Sequence, residues 1–371
     1  MTLPGPRACA RVLLVAPNWL GDLVMSTVLL ERLARVGTLP DGRVLEVILS
    51  IRRRWLPLLA DDRRPAGLVV YEREGRHRGW LGIGPLARLW RSVSADTAIL
   101  MPPSLRVAAA SAWARIPRRI GMRGDGRSLL LTDPVRREAR GSEHYTAEAL
   151  RLGAVWASTH AGLAWPERAD ALWPSLPGCA RIAPAPETGS GPPVWIFAPG
   201  ATYGDAKVWP PAQAAEWLQQ AVRLEGVRIV LLGDASARPF AAALQERCAV
   251  PWHRAWDDRP GAIDLVGRTQ LPAVVAILKG ASLFVGNDSG LMHLSAALGL
   301  PTLGLFGSTS PRWTGPRGPR TAVLRAEGFP CQPCFRRRCN QKRFCLAALS
   351  ADAVLQAARR LLTPPLQERE S

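Results

Sequence analysis

Three stretches of the chain carry side chains able to bind or move charge. In the second half, Gly286-Asn287-Asp288-Ser289-Gly290 joins an apolar strand pattern, Leu283–Val285, to a helical one, Leu291–Leu298. Gly290 lets backbone N–H groups come close to a ligand, and a helix start behind such a turn favours phosphate oxygens. Asp288 and Ser289 have oxygens suited to a ribose or sugar hydroxyl. The plainer alternative is that an Asp or Ser at this position only caps the helix. The second stretch, PGATYGDAKVWP from Pro199 to Pro210, follows the apolar run Val194–Ala198 and precedes a helical pattern over Ala212–Leu224. Gly200, the Thr202 hydroxyl and the Lys207 ammonium are the parts of a diphosphate cradle. They do not form a Walker A loop, which needs a Gly-Lys-Ser/Thr triplet, and Lys207 by itself reads as an ordinary surface lysine. The third stretch, Pro17–Asp22, follows the strand pattern Arg11–Ala16 and opens a helix. Asp22 there can serve the helix start, or take a proton from an acceptor hydroxyl as a general base. Spacing alone favours the cap.

A further polar loop, Ser308-Thr309-Ser310-Pro311, ends the apolar run Thr302–Phe306. Three polar strand-end loops in one half point to a nucleotide site. His293 lies on an apolar helix pattern, where a packed, hydrogen-bonded imidazole competes with a ligand contact. In the first half, arginines gather at Arg52-Arg53-Arg54, at Arg73, Arg76 and Arg78 with His77, and at Arg118-Arg119. Arginine forks suit phosphate, so Arg52, Arg54, Arg118 and Arg119 are candidates to meet one anionic acceptor at a shared sheet edge. Solvated loop charge is the other explanation for each group. Cys331, Cys334, Cys339 and Cys345 place four thiols within fifteen residues. Four thiolates could hold a structural zinc or iron ion, although the spacing is not that of two close pairs set well apart. Reduced thiols, or an occasional disulfide, are the alternatives.

These loops need elements to hold them. Strand patterns at Leu45–Leu49, Leu68–Tyr71 and Thr97–Met101 alternate with helical patterns near Leu56–Ala60, Pro85–Val93, Arg106–Ala114 and Glu143–Leu152. The same alternation resumes after Val194, with a strand at Arg228–Leu232 and helices at Ala237–Glu246 and Leu271–Lys279. Alternation of this kind implies parallel sheets. The 371 residues suit two domains better than one. Prolines crowd the segment from Pro166 to Pro193, which reads as an extended connector over 171–193 between an N-terminal domain, 1–170, and a C-terminal one, 194–350, with a last helix and tail at 351–371.

The net charge of +18 implies an anionic partner: nucleic acid, an acidic membrane face or a phosphorylated substrate. An aromatic-rich RNA-binding strand and a separate basic helix are both missing, which argues against nucleic acid. The first apolar run is too short for a secretory signal, and no uncharged apolar stretch approaches the roughly 20 residues that span a bilayer. A cytoplasmic protein, or one on the inner face of a membrane, is expected. The seven cysteines then do not imply a disulfide framework.

Taken together, APNWLGDLVMST, PGATYGDAKVWP, LVGRTQL, GNDSGLMHLSAALGLPTLGLFGSTSP and CQPCFRRRCNQKRFCL, in this order, resemble the ADP-heptose:lipopolysaccharide heptosyltransferases. These are family 9 glycosyltransferases of the GT-B fold, and the cysteine-rich stretch is most similar to the branch called heptosyltransferase II. The resemblance implies two Rossmann-like domains with parallel sheets facing a central cleft, the first for the acceptor and the second for ADP-heptose. It implies a last helix, near Ala351–Leu362, that packs back toward the first domain. By the same resemblance Asp22 is the catalytic base, Lys207 meets the donor phosphates with Thr202 beside it, and Asp288, Ser289 and Gly290, with Leu291 and His293 behind them, form the donor turn. It implies inversion without a catalytic metal, and a phosphorylated lipopolysaccharide core acceptor at the anionic inner membrane surface. Another acceptor within the family, such as a different core sugar or a protein hydroxyl, is the alternative.

Overall fold

The apolar runs pair as parallel strands, and each half of the chain builds its own sheet. The computed structural model describes residues 9–160, 162–163, 165, 172–189, 191–200 and 203–363. Two units divide the chain, residues 1–180 and residues 181–371.

In the first unit the strands are β1 (Cys9–Val15), β2 (Val44–Arg52), β3 (Gly67–Tyr71), β4 (Thr97–Leu100), β5 (Arg118–Met122) and β6 (Asp133–Val135). The helices are α1 (Leu20–Ala34), α2 (Leu56–Leu59), α3 (Ile83–Arg91), α4 (Leu105–Trp113) and α5 (Tyr145–Ala157). The sheet order is β3-β2-β1-β4-β5-β6. The order reverses between β1 and β4, and ligands of open parallel sheets bind at the carboxyl ends of the strands beside such a reversal. Helix α1 is buried nearly all round, from Leu23 through Leu30 and at Leu33. Its two interior hydroxyls are satisfied locally: Ser26 Oγ donates to Leu23 O and Thr27 Oγ1 to Val24 O, both at 2.7 Å. That burial fixes the first turn of α1, and with it Asp22, against the end of β1.

The second unit contains β7 (Val194–Ala198), β8 (Arg228–Leu231), β9 (Trp252–His253), β10 (Gly261–Asp264), β11 (Leu283–Asn287), β12 (Thr302–Phe306) and β13 (Thr321–Arg325). Its helices are α6 (Pro211–Glu225), α7 (Arg238–Arg247), α8 (Leu271–Gly280), α9 (Gly290–Ala297), α10 (Pro311–Thr314) and α11 (Ala351–Leu362). The order β13-β12-β11-β7-β8-β10-β9 places the reversal between β7 and β11. One face of the sheet packs on an aromatic cluster: Trp209 and Trp217 lie 6.3 Å apart, and Phe197 is within 6.3 Å of both rings.

Helix α11 packs within its own unit. Ala351, Val354, Leu355 and Ala358 form its buried stripe and belong to the core of the second unit, where they cover a sheet face that would otherwise meet water. Parts of the proline-rich segment are hydrogen-bonded to the unit they belong to. Arg64 donates to Ser175 O at 2.9 Å, and the buried Cys179 thiol donates to Leu58 O at 3.6 Å. Farther along, Ala185 N donates to Ala276 O at 2.9 Å.

Candidate functional site

The loops on either side of the β7–β11 reversal are tied to each other by one buried side chain. Asn287, fully buried at the end of β11, donates from Nδ2 to Pro199 O at 2.6 Å and accepts at Oδ1 from Trp209 N at 3.1 Å. Trp209 is itself anchored, its Nε1 donating to Leu349 O at 3.0 Å. The loop between them is therefore held at both ends, and Lys207 sits in its short helical turn, Asp205–Lys207. Lys207 Nζ reaches across to Asp288 Oδ2 at 2.7 Å. Thr314 Oγ1 donates to the same carboxylate oxygen at 3.1 Å, and His293 Nε2 lies 3.8 Å from Asp288 Oδ1. Lys207 Nζ also stands 4.9 Å from the centre of the Tyr203 ring, and the Tyr203 hydroxyl donates to Phe335 O at 2.7 Å. An ammonium, a carboxylate, an imidazole and the start of α9 thus meet at the reversal of the sheet.

The capping alternative for Ser289 fails. Ser289 occupies the N-cap position of α9 but makes no capping hydrogen bond, and its Oγ is buried without a partner. Ser308 Oγ and Thr309 Oγ1, after β12, are likewise buried and unpartnered. Unpaired buried hydroxyls are costly and mark places where a ligand completes the bonding. Gly290 and Leu291 open α9 behind Ser289. Thr202 lies outside the described residues.

His293 is buried, and burial, the largest effect, lowers its pKa to about 4; Asp288 pulls the other way and Lys207 adds to the lowering. The imidazole is neutral at pH 7. Its pKa in the folded chain lies below the usual 6.5, so the unfolded chain takes up the proton first. The associated stability is complete above pH 6.5 and is lost as pH falls, reaching a deficit of about 3 kcal/mol at pH 4. Urea unfolding at pH 7 and at pH 4.5 is expected to show a steeper acid loss in the wild type than in His293→Gln. Equal losses would remove His293 as the source.

In the first unit Asp22 stands in the first turn of α1, half-buried at the carboxyl end of β1, beside the β1–β4 reversal. The cap position belongs to Trp19, which makes no side-chain capping bond, so the spacing argument for Asp22 as the cap is replaced. The buried Tyr145 hydroxyl is pushed well above its usual range, chiefly by burial and then by the Asp22 and Glu148 charges. Arg52, at the carboxyl end of β2, pairs with Glu74 and donates to Asn18 O at 3.1 Å. Asn18 Oδ1 in turn accepts from the Tyr71 hydroxyl at 3.1 Å. Arg54 is exposed, its guanidinium 4.3 Å from the centre of the Trp55 ring.

Arg118 and Arg119 do not join this group. They begin β5 and so lie at the amino edge of a parallel sheet, opposite Arg52 at a carboxyl end. Arg118 pairs with Asp133 at 2.7 Å, while Arg119 donates to Leu130 O and Ile116 O, each at 2.7 Å. Their work is to fasten β5 to its surroundings. Arg118→Ala is expected to cost about 1 kcal/mol of stability, discounted for the partial exposure of the pair, and to leave the acceptor KM unchanged. A raised KM at unchanged stability would restore Arg118 to the site.

The cysteines do come together. Cys331, Cys334, Cys339 and Cys345 line one small cavity with Ser308 and Ala206, and burial raises the Cys345 thiol above its usual pKa. Among the described residues, however, no three His, Cys, Asp or Glu side chains are placed to hold a metal ion. The segment instead closes over the Lys207 loop. Ala206 N donates to Arg337 O at 3.0 Å, and Gly204, at φ +150°, lies so close to that carbonyl that a Cβ would collide with it.

The residues that sequence reasoning missed are Asn287, Thr314 and Tyr203. Asn287 carried a signal, an amide at the end of an apolar strand, but its partners lie more than seventy residues away.

Two parallel-sheet α/β units, one with a cation–carboxylate cradle and unpaired hydroxyls at its reversal, define a nucleotide-handling enzyme of the doubly wound class. Residues 84–344 match the model of glycosyltransferase family 9 (heptosyltransferase). The chain belongs to that family and is a glycosyltransferase. It is 31% identical over 330 residues to lipopolysaccharide heptosyltransferase 2 of Salmonella typhimurium, covering 85% of this chain and 88% of that one. The enzyme of the same name from Escherichia coli matches to the same extent. The solved structure of E. coli ADP-heptose lps heptosyltransferase II superposes with a TM-score of 0.69 at 25% identity, over 95% of this chain and 98% of that chain. E. coli heptosyltransferase WaaC with ADP shares the fold, with a TM-score of 0.67 at 20% identity over 95% of this chain and 99% of that one. The expected GT-B class holds in the two parallel-sheet units and in these neighbours.

Proposed function

We propose that this enzyme moves heptose from ADP-L-glycero-D-manno-heptose to the first heptose of the lipopolysaccharide inner core, with inversion. The relatives named heptosyltransferase 2 support the donor and acceptor classes. The observation that carries the reading is the Lys207–Asp288 pair, at 2.7 Å across the strand-order reversal. A nucleoside diphosphate arriving there meets an ammonium, the α9 N-terminus and donor hydroxyls. As the bond from the anomeric carbon to ADP breaks, negative charge grows on the diphosphate, and Lys207 and α9 stabilise it. Asp288 and Ser289 hold hydroxyls of the donor. Neutral His293 stays behind Asp288 and steadies the carboxylate without adding a second full charge. Asp22 takes the proton of the attacking hydroxyl. Lys207 supplies the cationic role, so the reading needs no catalytic metal. Arg52 and Arg54 offer charge to acceptor phosphates, and the +18 net charge suits work at an anionic cytoplasmic membrane face. No helix among the described residues is long and apolar enough to cross a membrane.

The test is mass spectrometry of a defined inner-core lipid acceptor incubated with ADP-heptose. The expected product is the acceptor enlarged by one heptose, with one ADP released per transfer. Release of ADP with no gain on this acceptor, but with a gain on another core sugar or a protein hydroxyl, would reassign the acceptor.

A further inference from the structure

We propose that a tip on the first unit, built by Trp80 and Leu81, docks this protein onto an anionic lipid bilayer. This deepens the reading above that the acceptor is a lipid, and it rests on that reading. Trp80 is 65% exposed and Leu81 95% exposed, which is unusual for two adjacent large apolar side chains. Trp113, 60% exposed, extends the same surface: its ring stands over Gly84, three residues on from Leu81.

The tip is firmly built. His77, beneath it, is buried; its Nδ1 accepts from Glu72 N at 3.0 Å, and its carbonyl accepts from Arg106 Nη1 at 2.8 Å. The backbone then closes through Arg78 N to Gly75 O at 2.9 Å and Gly82 N to Arg78 O at 3.0 Å. A Cβ at Gly82 would collide with the His77 carbonyl group. Trp80 and Leu81 are thus held outward by a rigid base.

Their surroundings choose the occupant. Arg73, Arg76 and Arg78 are exposed in the same loop, and Arg88 and Arg91 are exposed along α3. The two carboxylates of the loop are already engaged, Glu72 with Arg53 and Glu74 with Arg52. A tryptophan–leucine tip ringed by uncancelled arginines matches the interface of an anionic bilayer, where the indole sits at headgroup depth and the guanidinium groups meet phosphates. A second copy of a chain carrying +18 would bring like charge to these arginines and be repelled.

The experiment is co-sedimentation of the full chain with vesicles of phosphatidylethanolamine and phosphatidylglycerol, and separately with phosphatidylcholine alone. Binding to the anionic vesicles is expected. Trp80→Ser/Leu81→Ser should weaken it by about tenfold or more, and Arg76→Gln/Arg78→Gln by about fivefold for each arginine removed. The ADP-induced rise in Tm, measured on every variant, is expected to stay at the wild-type value and reports that the fold is intact. Equal binding of wild type and Trp80→Ser/Leu81→Ser to anionic vesicles overturns the proposal. So does loss of self-association in that variant with vesicle binding retained, which would give the tip to a second copy. Transfer to a deacylated, water-soluble acceptor separates the two readings: it should be unchanged in Trp80→Ser/Leu81→Ser. Its failure in the wild type would sink the acceptor assignment and not the tip.

Discussion

Replacing Asp22 by Asn is expected to lower kcat by about 10²–10⁴-fold, the range a positioned general base supplies, while ADP still raises Tm by the wild-type amount. The substitution keeps the size of the side chain in the first turn of α1 and removes only the basic oxygen. The loss of charge at the helix start costs less than about 1 kcal/mol, because dipole effects at partly exposed positions are small. Stability and chemistry therefore separate cleanly. The measurement pairs steady-state transfer rates with thermal shift on ADP titration. A large drop in ADP affinity with kcat preserved would place Asp22 in nucleotide binding and take away its role as base.

Removing the Lys207 ammonium should have the second largest effect. Lys207→Met is expected to lower kcat/KM for ADP-heptose by about 10²–10³-fold, the scale found when one charge-stabilising donor is deleted. It also leaves Asp288 buried without its strongest partner, with Thr314 Oγ1 at 3.1 Å and His293 at 3.8 Å remaining. Breaking a buried pair in this way costs about 3–5 kcal/mol. The double variant Lys207→Met/Asp288→Asn resolves the two effects. It relieves the stranded carboxylate and should regain most of the stability, and its transfer rate should stay at or below that of the single variant. Recovery of transfer together with stability would mean that Lys207 serves only the fold.

Much of this arrangement was legible in the sequence, for physical reasons that can be named. Runs such as Val194–Ala198 and Thr302–Phe306 are buried on both faces, so they read as continuous apolar strands. The polar loops that follow them announce the carboxyl edge. Strands that break this rule were not legible. β5 opens with Arg118-Arg119, whose guanidinium groups are bonded at the sheet edge, so no continuous apolar run marks it. β6 contains Pro134, and β13 has Val323 39% exposed at the sheet margin. The parts of the site on one loop were readable as a motif. The contacts that assemble it were not. Lys207 and Asp288 are 81 residues apart, and nothing local in either loop names its partner. The same holds for α11: the resemblance named the helix, but the surface it covers is set by the tertiary fold.

The Asn287 side chain carries one last implication. It donates to one end of the Pro199–Trp209 loop and accepts from the other end, at 2.6 and 3.1 Å, which a carboxamide can do at once and a carboxylate cannot. An aspartate of the same shape would turn an oxygen toward the Pro199 carbonyl, and lone pair would face lone pair in a dry interior. The two walls of the nucleotide pocket are consequently stitched before any nucleotide arrives. The enzyme meets its donor with the receptacle already in shape, and little of the association energy is diverted into arranging it.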